Sequence, residues 1–160
     1  MIGCGRTLQL VAVVAILVAA GFLLSWMRNE YSAAATIDAI AQSHIDANVP
    51  PDSTFDRLLR RDLTQYFQAS LGGNLTIDFD LLRRGPTQTG ISYPKFYLWV
   101  LVRRDGKPLK EGYARVQATD RTGFDVRDFI PRTAVDQDST RLYPVFPVAV
   151  AAEIMRRQRK

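Results

Sequence analysis

The stretch KFYLWVLV, residues 95–102, makes a strand with no polar face. Phe96, Leu98, Val100 and Val102 point one way; Tyr97, Trp99 and Leu101 point the other. A strand with one wet side alternates apolar and polar residues. This one therefore requires cover on both sides, or keeps an apolar surface for something outside its own chain. Asp105-Gly106 follows as a hairpin turn, and a second strand is expected near Gly112 to Thr119.

The neighbouring segments supply the partners. In NLTIDFDLL, Leu75, Ile77, Phe79 and Leu81 alternate with Thr76, Asp78 and Asp80, which predicts a half-buried strand. RRGPTQTGISYP reads as a loop, DRTG as a further turn, and FDVRDFI as a last strand closed by Pro131. Upstream, Phe55, Leu58, Leu59, Leu63, Tyr66, Phe67 and Leu71 recur at threes and fours. That spacing predicts a helix with one apolar stripe, capped by Asp52 or Ser53 and stopped at Gly72-Gly73. EYSAAATIDAIAQSHIDANV is expected to be an earlier helix, ended by Pro50-Pro51. Residues 132–143 read as a polar loop, and YPVFPVAVAAEIMRRQRK as a short helix entered at Pro147. The last helix is the nearest cover for Tyr97, Trp99 and Leu101.

The chain opens differently. From Thr7 to Met27, TLQLVAVVAILVAAGFLLSWM has no charged residue. At ~1.5 Å per residue it reaches ~30 Å, the thickness of a bilayer core. A cleaved signal peptide ending near Ala33-Ala34-Ala35 is the rival, but its apolar core is ordinarily shorter and Arg28 to Tyr31 intervene. The expectation is a retained single-pass anchor in an inner membrane, with a cytoplasmic N-terminus and a periplasmic domain. The organisation read from sequence is a tail at 1–6, an anchor at 7–27, a juxtamembrane helix and linker at 28–51, and an α+β domain at 52–160. Its fold class is α+β, with the transmembrane helix followed by helices packed on a four-stranded antiparallel meander and a short C-terminal helix.

Composition excludes several functions. The net charge is +5, but Arg6 and the four basic groups of RRQRK account for the excess, and the remaining 16 Lys and Arg equal the 16 Asp and Glu. A neutral body is not a phosphate-tracking surface, so no nucleic-acid partner is expected. The single Cys4 precludes internal disulfides, and one His with one Cys cannot build an ordinary zinc site. His44 has no helical-face partner for a triad, and DQDST at 136–140 lacks the glycine and the glutamate of a calcium loop. Asp78 and Asp80 share a strand face, which an exposed face explains without catalysis. Asn74-Leu75-Thr76 is a formal glycosylation sequon. No catalytic residue, cofactor or metal is expected.

Two surfaces remain as candidate sites. One is the aromatic face of Tyr97, Trp99 and Leu101, extended by Tyr113, for a partner or a ligand. The other is the basic end Arg156, Arg157, Arg159 and Lys160, for lipid or a partner. The order of one span, a helical lead, LGG before a run of strands, and GFDVRDFI after a turn resembles small inner-membrane assembly-factor domains, the cytochrome-oxidase assembly type among them, and more broadly cystatin-like α+β domains. The resemblance covers residues 52–131, with Phe124 as the aromatic that opens the last strand, and transfers no functional residue. It implies a non-catalytic accessory factor, anchored in the membrane, whose exported domain binds or scaffolds a membrane or periplasmic protein. The alternative reading is a small-molecule or lipid binding domain with a pocket between helix and curved sheet. An apolar cavity at Trp99 favours the second; a flat exposed patch of Tyr97, Trp99 and Tyr113 favours the first.

Overall fold

Both faces of the two-sided strand are covered by this chain's own helices. A computed structural model describes residues 4–89 and 92–159, with the side chains of 4–14, 29 and 30 outside the description. The chain divides into two units, Met1–Ile40 and Ala41–Lys160. The first consists of helix α1 (Cys4–Asn48) up to Ile40. Its described apolar side chains, from Ile16 to Trp26, stand exposed.

The expected membrane anchor over 7–27 is overturned, because among the described residues no helix is long and apolar enough to cross a membrane. The side chains of Thr7 to Val14 lie outside the described residues. The integral-membrane partner, the single-pass inner-membrane location and the cytoplasmic-to-periplasmic orientation fall with the span.

The second unit is an α+β domain. Its sheet is antiparallel in the order β1 (Leu75–Leu81), β2 (Lys95–Arg104), β3 (Lys107–Ala118), β4 (Phe124–Pro131). This meander follows the period-two pattern and the turns between its strands. Asp105 and Gly106 both have positive φ, 51° and 76°, and join Arg104 to Lys107 as a two-residue hairpin. At the β3–β4 turn the Asp120 carboxylate accepts from Thr122 N at 3.0 Å and Thr122 Oγ1 at 2.7 Å, which lowers its pKa.

One face of the sheet packs on α2 (Asp52–Leu71). Leu58, Leu59, Leu63 and Phe67 of the helix meet Ile77, Phe96, Leu98, Val100, Val102 and Val116. Tyr66, expected on the stripe, is exposed instead. Neither Asp52 nor Ser53 caps the helix; the cap is Pro51, whose carbonyl accepts from Thr54 N and Phe55 N, both at 2.9 Å. The C-terminal carbonyls of Leu71 and Gly72 are met by Arg104 Nη2 from β2, at 2.5 and 3.1 Å. Arg60 donates to the Ile77 carbonyl and its guanidinium lies 5.0 Å from the centre of the Phe79 ring. A side chain of α2 thus occupies a carbonyl of edge strand β1 that another chain would otherwise pair with.

The opposite face is covered by the C-terminal segment. The polar loop expected at 132–143 is instead α3 (Arg132–Gln137) and a 3-10 turn at Ser139–Leu142, followed by α4 (Val148–Gln158). Polar side chains there face solvent while Val135 and Leu142 are buried, and two spaced apolar residues are too few to reveal a helix period. Val150, Ala151 and Ile154 of α4 join Leu142, Phe146, Tyr97 and Tyr113 in a second core.

Candidate binding pocket on the aromatic face

Cross-strand register builds the floor. Asp80 of β1 lies opposite Trp99 of β2, and Trp99 lies opposite Tyr113 of β3. The three side chains form one row across the sheet, on the face that receives the C-terminal segment. Glu111, two residues before Tyr113, shares that face. Arg132 enters at the start of α3, where β4 ends at Pro131, and Arg157 enters from the last turn of α4. These six residues line a cavity of about 290 Å³.

The charged groups are paired. Glu111 Oε1 accepts from Trp99 Nε1 and from Arg132 Nη1, each at 2.9 Å. Asp80 Oδ2 accepts from Arg157 Nη1 at 2.5 Å, and the Leu81 carbonyl from Arg157 Nη2 at 3.5 Å. Arg157 Nε also donates to Glu153 at 2.8 Å, and Glu153 takes two further bonds from Arg156, at 2.7 and 2.8 Å. The hydrogen bond to Glu111 pushes the Arg132 pKa up; those to Glu153 and Asp80 do the same for Arg157. Burial raises the Tyr113 phenol, with Arg132 opposing, so the hydroxyl stays protonated at neutral pH.

Of the residues expected at a site, the structure gathers Trp99, Tyr113 and Arg157. Tyr97 is only 3 % exposed and belongs to the second core, its ring centre 5.8 Å from that of Phe146 and its hydroxyl bonded to Thr87 Oγ1 at 2.8 Å. Leu101 is half-buried and does not line the cavity. Arg156 is paired with Glu153, Arg159 is exposed at the end of α4, and Lys160 lies outside the described residues. Asp78 and Asp80 are not a carboxylate couple, since Asp78 pairs with Arg103 at 2.9 Å and Asp80 with Arg157. Asp138 of DQDST caps the 3-10 turn through Thr140, and among the described residues no acidic or Cys/His group of three could hold a metal ion.

Sequence reasoning missed Glu111 and Arg132. Glu111 carried a usable signal, its place two residues from Tyr113 on one strand face. Arg132 carried none, because its position depends on a helix that the sequence pattern does not announce.

The Glu153 network has a pH signature. Its carboxyl is held down to about 2 from an ordinary 4.5, by hydrogen bonds from Arg156 first and Arg157 second. A depressed carboxylate stabilises the fold fully above its unfolded pKa, and that contribution disappears as pH falls through the folded one. The melting-temperature difference between wild type and Glu153→Gln is therefore expected to be constant above pH 4.5 and to vanish toward pH 2. A gap that persists unchanged at pH 2 would rule this network out as its source.

Comparison with protein-family models, curated proteins and solved structures found no match for this chain.

Proposed function

We propose that residues 41–160 form a non-catalytic binding domain that takes a small molecule in the Trp99 cavity. The observation that carries this reading is the different fate of three aromatic residues on one face. Tyr97 and Tyr113 are covered by the C-terminal segment, while Trp99 beside them is left half-buried in the wall of a cavity. A partner-binding face needs all three exposed as one patch; a ligand pocket needs a small apolar floor with a few directed polar groups. The second description fits this geometry.

The titration directions also favour binding over catalysis. A group that transfers protons works best with its pKa near the ambient pH. Tyr113, Arg132 and Arg157, the lining groups with displaced values, all move away from neutrality. On this reading they hold and orient a bound molecule.

The test is a saturation-transfer NMR screen of soluble polar fragments on the full chain, repeated on Trp99→Ala. Fragments that bind wild type are expected to lose at least tenfold in affinity in the variant, about 1.4 kcal/mol. If binding is indifferent to Trp99, or competes with no fragment at this cavity, the proposal fails.

A further inference from the structure

Building on the pocket reading, we infer that the ligand is a small zwitterion of the amino-acid type, its ammonium toward Asp80 and Glu111 and its carboxylate toward Arg132 and Tyr113. Several atoms of the lining keep unmet hydrogen-bonding capacity. Glu111 accepts both of its bonds at Oε1, and Asp80 accepts its bond at Oδ2. Among the described residues nothing bonds Glu111 Oε2 or Asp80 Oδ1, so each carboxylate keeps one oxygen for an incoming donor.

The donor side is equally incomplete. Arg132 bonds through Nη1 alone, leaving Nε and Nη2 without a partner among the described residues. The Tyr113 hydroxyl has no hydrogen-bond partner there either, although the residue is only 2 % exposed and lines the cavity. A phenol in such a place, kept protonated by burial, is a directed donor for an oxygen anion.

Net charge then selects the ligand class. The lining contributes two carboxylates, Asp80 and Glu111, and two guanidiniums, Arg132 and Arg157. Glu153 behind Arg157 is itself matched by Arg156. A simple anion would leave the free carboxylate oxygens of Asp80 and Glu111 without a donor, and a simple cation would leave the free N–H groups of Arg132 without an acceptor. A molecule carrying both charges satisfies both sets of free atoms. The volume of about 290 Å³ has room for a single amino acid.

Specificity between net charges is what the experiment must read. In a Trp26→Phe background Trp99 is the only indole of the chain, and its fluorescence reports occupancy directly. Titrating the common α-amino acids, their decarboxylated amines and their deaminated acids as matched sets is expected to show at least one amino acid bound tenfold or more tightly than its own amine and acid. Arg132→Gln should reduce that amino acid to the affinity of its amine. Asp80→Asn should reduce it toward that of its acid. Thermal melts of both variants establish that they are folded; the two side chains sit at the surface, 44 % and 59 % exposed. If the amines or acids bind as tightly as the zwitterions, or no amino acid binds, the inference is overturned. Trp99-dependent hits in the fragment screen would then leave the pocket reading standing, whereas their absence would remove both.

Discussion

Phe67→Ala is expected to destabilise the α+β domain by about 3–5 kcal/mol, the range for removing a buried phenylalanine. Phe67 is 1 % exposed and sits where α2 meets the far edge of the sheet. Its ring centre is 5.0 Å from that of Phe129 on β4, with the planes nearly perpendicular at 86°. Tyr66 meets the same ring at 5.0 Å and 85°. Edge-to-face contacts of this kind contribute about 0.5–1.5 kcal/mol beyond area burial, so the loss lies at the upper part of the range. Truncation removes the ring and leaves Phe129 with no edge to pack on. Thermal melting of the full chain, followed by near-ultraviolet circular dichroism, should show a fall on the order of 10–20 °C. A fall of only a few degrees would mean that α2 is not seated on this face.

Gly112→Ala is the second large effect, about 3 kcal/mol, at the top of the overpacking range. Gly112 lies in the middle of β3, opposite Val100 on one side and Pro131 on the other. Its backbone is not strained, so the need for glycine comes from space. An added Cβ overlaps the Ile130 carbonyl oxygen and lies 2.6 Å from Phe129 Cζ. The ring can swing away; the carbonyl belongs to the neighbouring strand and cannot move without breaking the ladder. Because Phe129 also packs on Phe67, any ring displacement carries into the α2 face. Urea unfolding should give a lower midpoint at unchanged slope. Wild-type stability in Gly112→Ala would show that β4 yields easily here, contrary to the tight approach of these strands.

Much of the sheet could be read before folding. Leu75, Ile77 and Phe79 alternate with polar residues, and Asp105-Gly106 is a turn by its chemistry alone. The demand that β2 be covered twice was also written in its own residues, Phe96 to Val102. The cover was not fully written. Val135 and Leu142 hold α3 and the 3-10 turn against the sheet, but they stand among RTAVDQDSTRL, which carries no period. The uncharged run at 7–27 misled in the opposite sense, since apolar composition was read as a span that the described helix does not support.

The candidate site was legible in halves. Trp99 and Tyr113 are visible as an aromatic face and Arg157 as part of a basic end on the helix expected to cover it, yet no local pattern joins Arg157 to Asp80. Asp80 and Arg157 are 77 residues from one another and bond directly. Glu111 and Arg132 are 21 apart and meet only because β4 returns along β3.

By itself, the sequence determined the features whose causes act over two to four residues: strand faces, the α2 stripe and the hairpin turn. Tertiary packing alone decided which face stayed open, which arginine met which carboxylate, and that a cavity remained at Trp99. Those outcomes depend on how far α4 reaches across the sheet, a matter of side-chain volumes summed over a whole layer, and no local pattern encodes such a sum.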